Sequence, residues 1–176
     1  MGPKSNAAAN QSLFRDQYAV DVKFVTPFST ALVETINAMW SLNAKALTPE
    51  FKVVNVTPPT SGILISVAIA HPKATGNVVF SFSREVMLEI VHRLSGTQVK
   101  EIDVHAVDAA KEMINVILGL AKRKMTEKGL TGITSIPQII MGHNMQTFYQ
   151  TPVMTVLIKV DSNAGPMAVE FTANAG

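Results

Sequence analysis

The chain has 176 residues, of which 47% are hydrophobic and 16% charged, with a formal net charge of +2. This length can bury a sizeable core in one domain, and the absence of cysteine excludes disulfides and thiolate chemistry. The longest run of adjacent basic residues, Lys122-Arg123-Lys124, is too short for the broad basic face that binds nucleic acid. No apolar run approaches the about 18 residues of a membrane span, so we expect contact with neither membrane nor nucleic acid. The lack of cysteine and of an apolar signal-peptide segment fits a cytoplasmic protein.

The first part of the chain predicts a leader and then the start of a folded domain. Residues 1–20 are small and polar without periodicity, so we predict a disordered leader there and a single domain over 21–174. A helix is predicted from Pro27 to Leu42, with the proline in its first turn. A strand is predicted at Phe51–Val56 from its apolar alternation.

A hairpin and a short helix follow. Strands at Gly62–Ala70 and Gly76–Ser83 are joined through His71-Pro72-Lys73, a sequence typical of a turn. The apolar spacing then predicts a short helix over Ser83–Leu94, which Ser95-Gly96 ends because glycine is the usual C-terminal stop.

The long helix predicted from Asp103 to Lys128 carries the most informative pattern of the chain. Asp103 suits its N-cap and Gly129 its C-cap. At about 100° per residue, a stripe of residues stays within roughly 40° of one line, opposite the apolar face. That stripe consists of Asp108, Glu112, Asn115, Gly119 and Lys122. The apolar face consists of Val107, Ala110, Ile114, Ile117 and Ala121.

Two residues of the stripe are poor choices for an exposed helix. The amide of Asn115 competes for backbone hydrogen bonds, and Gly119 costs about 1 kcal/mol relative to alanine in a helix interior. An ordinary solvated face would carry Glu, Lys and Arg instead. The pattern therefore indicates a surface shaped to admit a partner closely.

Three strands complete the chain, at Gln138–Met141, Thr151–Val160 and Met167–Thr172, with a hairpin turn at Asp161–Gly165 between the last two. Thr151–Val160 alternates imperfectly, which favours an edge or dimer strand. The element order predicts an α+β fold in which an antiparallel or mixed sheet packs with a long helix pair.

Most catalytic machinery is absent from the sequence. There is no phosphate-binding glycine loop, no dinucleotide fingerprint and no G-x-S-x-G nucleophile elbow. The four histidines stand at no metal-ligand spacing, so we expect no metal site and no cofactor of the protein's own.

A family resemblance rests on the long helix and on one proline. Asp108, Glu112 and Asn115 read D-x-x-x-E-x-x-N, and Pro137 follows downstream. This resembles the signature of the CheX, CheC and FliY phosphatases of bacterial chemotaxis. The likeness covers roughly Lys23–Thr172, and the single E-x-x-N resembles CheX more than CheC.

The resemblance implies a CheX/CheC-like fold and a phosphatase acting on a phosphorylated CheY-like response regulator, here called the receiver. It implies that Asn115 orients the attacking water and that Glu112 pairs with the receiver's active-site lysine. Asp108, Gly119 and Lys122 are then partner-binding residues. The clearance that Gly119 would give is an inference from the geometry of the helix. It also implies that the receiver supplies Mg²⁺ and that the protein forms a homodimer.

Two alternatives remain open. If the helical wheel is considered alone, Glu112 with Lys111 and Asp108 is explained as an ordinary solvated face. Asn115 is then a helix-surface residue or caps a neighbouring loop. The motif and the element order favour the phosphatase. A domain of the same fold that docks a receiver or a flagellar-switch component without catalysis is the second functional hypothesis.

Overall fold

A computed structural model of the protein describes residues 22–57, 60–72 and 74–173. The predicted leader, residues 1–20, lies outside the described residues. The described residues form three helices and eight strands. The helices are α1 (Val22–Trp40), α2 (Arg84–Ser95) and α3 (Val104–Glu127). The strands are β1 (Lys45–Ala46), β2 (Glu50–Val56), β3 (Thr60–His71), β4 (Ala74–Ser83), β5 (Ile133–Thr134), β6 (Gln138–Met145), β7 (Phe148–Asp161) and β8 (Met167–Ala173).

The strands form one antiparallel sheet in the order β1-β7-β8-β4-β3-β5. β2 also pairs with β7, and β6 also pairs with β3, so each side of the sheet ends in two partial strands. The predicted α+β class with an antiparallel sheet is confirmed, and the sheet contains no parallel pair among its described strands.

One face of the sheet supplies the core. Alternate residues of β3 are fully buried because a strand places every second side chain on the same face. These residues are Ile63, Ile65, Val67 and Ile69. The helices cover this face with aromatic contacts, and the rings of Phe28 and Phe80 meet edge-on with centroids 6.3 Å apart.

The predicted helix pair is formed by α1 and α3. Their packing includes an ion pair in which Nζ of Lys124 lies 2.8 Å from Oε1 of Glu34. The pair anchors α3 on the side that faces the core and leaves its opposite side open.

The first helix begins earlier than the sequence predicts. It starts at Val22, which places Pro27 inside the helix instead of in its first turn. Phe24 and Val25 are both buried ahead of the proline. Their burial extends the apolar face upstream and offsets the backbone hydrogen bond that the proline ring removes.

The prediction that Thr151–Val160 forms an edge strand is wrong. These residues belong to β7, which pairs with β1 and β2 on one side and with β8 on the other. The two-residue strands β1 and β5 are not predicted, because such short elements carry no detectable alternation. Strand β6 also continues past the predicted end at Met141, through a register irregularity near Thr60.

Among the helices of the described ranges, none combines the length and the apolar character that crossing a membrane requires.

Candidate functional site

Helix α3 is fixed at both ends by its local sequence. At the N-terminus, Oδ1 of Asp103 accepts hydrogen bonds from the backbone N–H of His105 at 3.0 Å and of Ala106 at 3.2 Å. This is the N-cap that the sequence predicts, and it satisfies two of the helix's unpaired donors.

The C-terminal end closes with a glycine in the left-handed conformation. Gly129 has a φ of 68° and donates to the carbonyl of Thr126, while Leu130 donates to the carbonyl of Met125 at 2.8 Å. These two bonds form a Schellman motif, in which Lys128 is the cap residue and Gly129 follows it. The two fixed ends hold the register and the rotation of the helix between them.

The two faces of α3 separate as the helical wheel predicts, except that Val107 of the predicted apolar face is only half-buried. The buried residues of the helix are Ala106, Ala109, Ala110, Met113, Ile114, Ile117, Leu118, Ala121 and Met125. The residues of the predicted stripe are all exposed: Asp108, Glu112, Asn115, Gly119 and Lys122. The helix therefore presents the five predicted site residues on its solvent side.

The carboxylate of Asp108 forms an ion pair within its own helix. Its Oδ1 lies 3.0 Å from Nζ of Lys111, which stands three residues further along the same helix. Both side chains are more than half exposed, so the pair contributes only about 0–1 kcal/mol to stability. The contact gives Asp108 a cationic partner within its own helix.

Glu112 and Asn115 have no such partner. Neither side chain makes a hydrogen bond or an ion pair with any residue that the structure describes. Within those residues, Asn115 caps no loop, which removes one of the alternative explanations for it. Residues three apart on a helix have Cβ atoms about 5–6 Å from each other. One exposed carboxylate and one exposed amide therefore face solvent together.

Gly119 has no structural reason within the described chain to be a glycine. A Cβ atom built on it meets nothing within 4 Å, and its backbone is ordinary helix. Alanine would fit without strain and would favour the helix. Contacts within the described chain do not explain why this residue is a glycine. A partner that approaches the helix backbone closely would explain it.

Pro137 lies outside helix α3. It directly precedes β6 and is half-buried. The five predicted residues of the stripe share one face of α3, whereas the proline of the motif lies in the segment before β6.

Two further residues lie beside the stripe. The sequence places Lys111 only on a solvated face, and the structure pairs it with Asp108, which its spacing of three residues makes possible. Val116 is 48% exposed and stands between Asn115 and Gly119 on the flank of the stripe. The helical wheel already predicts this exposure, because Val116 lies outside the buried face of the helix.

The site offers no set of ligands for a resident metal ion. Across the parts of the chain that the structure describes, no three His, Asp or Glu side chains come together in a way that could hold one. On the stripe, the oxygen donors are the carboxylate of Asp108, which is paired with Lys111, the carboxylate of Glu112 and the amide oxygen of Asn115. Mg²⁺ is usually held by one or two carboxylates together with waters and substrate phosphates, so these groups alone form no closed site for it.

The family model of the chemotaxis phosphatase CheX matches residues 64–161, which is more than half of the chain and includes the whole of α3. No curated protein matches the chain significantly.

Several solved structures share the fold. A CheC-like superfamily protein from Shewanella sp. PV-4 is 21% identical with a TM-score of 0.76, covering 89% of this chain and 100% of its own. The chemotaxis protein CheX from Desulfovibrio desulfuricans is 24% identical with a TM-score of 0.73, covering 86% and 99%. A chain of the CheX–CheY–BeF3–Mg²⁺ complex from Borrelia burgdorferi is 16% identical with a TM-score of 0.66, covering 86% and 98%.

Proposed function

The chain belongs to the CheX family of chemotaxis phosphatases, and from that premise we propose that it accelerates dephosphorylation of a CheY-like receiver. The observation that carries the proposal is the pair of exposed, unpartnered side chains of Glu112 and Asn115 on one face of a rigidly capped helix. The similar fold found in a complex with CheY, BeF3 and Mg²⁺ supports a receiver as the partner.

Asn115 positions the attacking water. Its amide both donates and accepts hydrogen bonds, so it can hold a water with a lone pair directed at phosphorus without being a strong base. The water attacks the aspartyl phosphate in line, the bond from phosphorus to the aspartyl oxygen breaks, and inorganic phosphate leaves. Such displacement is served mainly by orientation and electrostatics, which one fixed amide supplies.

Glu112 anchors the receiver. A carboxylate that has no partner in the free protein loses no internal ion pair when it binds a cation of the receiver. The cation that suits it is the ammonium group of the receiver's active-site lysine. Glu112 thereby fixes the helix against the receiver and places Asn115, one turn further along, over the phosphoryl group.

The remaining stripe residues shape the contact. Asp108, held by Lys111, presents a neutral ion pair at one end, and Lys122 presents a cation at the other. Gly119 leaves room for the receiver to approach the helix backbone. The receiver would bring the Mg²⁺ that neutralises the phosphoryl oxygens, since the described residues of this chain include no cluster of acidic or histidine side chains that could hold a metal ion.

Family membership supports two further expectations. We expect the protein to act in the cytoplasm, where it meets its receiver, and to form a homodimer. The mass of the protein in solution, measured by light scattering, tests the second.

The experiment that tests the function is phosphate release from a phosphorylated CheY-like receiver, with and without the protein. The proposal predicts that a catalytic amount of protein shortens the lifetime of the phosphorylated receiver over many turnovers. Binding of the beryllofluoride-activated receiver without any faster phosphate release would instead assign the same surface to a docking or scaffold domain.

A further inference from the structure

A small apolar cleft lies beside the stripe, between α2, the loop that follows it and the first turns of α3. Its volume is about 420 Å³. This lies at the lower end of the range of roughly 300–1,000 Å³ that is typical of ligand sites. The cleft therefore suits a protruding side chain of a partner. Its lining includes Val91, Leu94, Thr97, Val99, His105 and Ala109.

The cleft is built by local structure and does not depend on a loose loop. Gly96 ends α2 in the left-handed conformation, with a φ of 71°, and its N–H donates to the carbonyl of His92 at 2.8 Å. The hydroxyl of Ser95 accepts from the N–H of Thr97 at 3.1 Å. These bonds turn the chain sharply and leave Leu94 55% exposed at the rim of the cleft.

The cleft lies next to the N-terminal end of the stripe, because both use the first turns of α3. Ala109 in its lining is the neighbour of Asp108 and stands three residues before Glu112. His105, also in the lining, stands three residues before Asp108. Residues three apart on a helix surface have Cβ atoms about 5–6 Å from each other. A protein that docks on this end of the stripe therefore reaches the residues that line the cleft.

We propose that the cleft receives an apolar side chain from the receiver's surface next to its phosphorylated aspartate. The inference rests on the proposed function, because it takes the stripe as the receiver's docking face. The polar stripe orients the receiver, whereas the cleft buries apolar surface, and interfaces commonly combine an apolar centre with polar surroundings. Burial of a side chain in a pocket supplies affinity, and the size of that side chain discriminates between receivers.

Two variants test the cleft from opposite directions. Leu94→Gln removes apolar surface from its rim at a position that is already exposed, and Thr97→Phe fills it with a side chain at another exposed position. Loss of a buried apolar contact of this kind should raise KM for the phosphorylated receiver roughly tenfold. The kcat should stay unchanged, because neither residue touches the reacting atoms.

The matched control is Val53→Gln. Val53 is 63% exposed on β2, which lies beside β7 and away from the α2–α3 side of the molecule. It receives the same kind of change as Leu94, from apolar to polar. We expect its KM and kcat to equal those of the wild type.

The outcomes separate the cleft from the function itself. A rise in KM for both cleft variants and not for Val53→Gln supports the inference. Wild-type activity with unchanged KM in both cleft variants overturns the cleft and leaves the proposed function standing. A wild-type protein that does not accelerate phosphate release overturns both. A lower mass of Leu94→Gln in light scattering would assign the cleft to a second copy of this chain and overturn the inference.

Discussion

Glu112 and Asn115 differ from Asp108 and Lys111 on α3 because neither of them has a side-chain partner within the described residues. Their exposure follows from the period of the helix and could be predicted from the sequence alone. The sequence does not show that Asp108 pairs with Lys111. Because of this pair, Glu112 is the carboxylate of the stripe that has no partner among the described residues.

Removing the carboxylate of Glu112 should weaken receiver binding. We expect Glu112→Ala to raise KM and also to lower kcat, because the amide of Asn115 loses its register when the anchor is gone. Loss of a charge-assisted contact of this kind typically changes kcat/KM by about tenfold to a hundredfold. Steady-state phosphate release measures both constants. Glu127→Ala, at the exposed C-terminal end of the same helix, is the control and should leave both unchanged.

At Gly119, we expect a substitution to change the stability of the protein and its binding of the receiver in opposite directions. Gly119→Ala should raise the free energy of unfolding by about 1 kcal/mol, because a Cβ meets nothing and the helix propensity improves. It should also weaken receiver binding, since a methyl group then occupies the space the receiver needs. Urea unfolding and the KM for the phosphorylated receiver measure the two effects. A more stable variant with unchanged KM would remove the clearance role.

At the scale of elements, the sequence predicted those features that depend on residues close by in the chain. The ends of α3 were predictable because an N-cap aspartate and a C-terminal glycine act within a few residues of the helix. The start of α1 was not, because the burial of Phe24 against Phe171 across the fold decides it. The partners of β7 and the cleft beside α2 depend on elements distant in sequence, which periodicity does not report.

The cap of α3 should be worth a measurable amount. Asp103→Ala leaves the backbone N–H groups of His105 and Ala106 without their acceptor. We expect a loss of about 1 kcal/mol in the free energy of unfolding, the usual effect of removing such a cap. Asp103→Asn keeps an acceptor oxygen and should recover most of the loss. A full loss in the asparagine variant would contradict the capping explanation.

At the scale of the whole molecule, the sheet face opposite the helices affects how stability depends on pH. Burial raises the pKa of the Glu170 carboxyl above its ordinary value of 4.5, against smaller opposing effects of Lys52 and Thr172. The folded state therefore favours the protonated form. The stability that this group contributes is present below pH 4.5 and is lost as the pH rises through the raised pKa.

Replacing Glu170 with glutamine should remove that dependence. We expect Glu170→Gln to be more stable than the wild type at neutral pH, with the difference vanishing towards and below pH 4.5. Urea unfolding at several pH values, from below 4.5 to neutral, measures this difference in the free energy of unfolding. Glu50→Gln is the matched control of opposite sign, since hydrogen bonds from Lys159 and Lys52 lower the pKa of Glu50. Its contribution is present above pH 4.5 and is lost as the pH falls through the lowered pKa.

The order of helices and strands, together with the stripe, predicted the α+β architecture and the family. The order in which the strands pair could not be predicted from the sequence, because strands such as β8 and β4 are separated by about 90 residues of chain. The roles of Glu112 and Asn115 stay predictions, since they depend on a second protein.

The central claim is that the amide of Asn115 orients the attacking water, and single-turnover phosphate release from a phosphorylated receiver tests it most directly. With saturating protein, Asn115→Ala should release phosphate about a hundredfold more slowly than the wild type, the usual loss when one orienting interaction is removed. Its affinity for the beryllofluoride-activated receiver should stay close to the wild-type value. Asn163→Ala, an exposed asparagine in the turn between β7 and β8, is the control and should release phosphate at the wild-type rate. Equal rates for Asn115→Ala and the wild type would contradict the proposed mechanism.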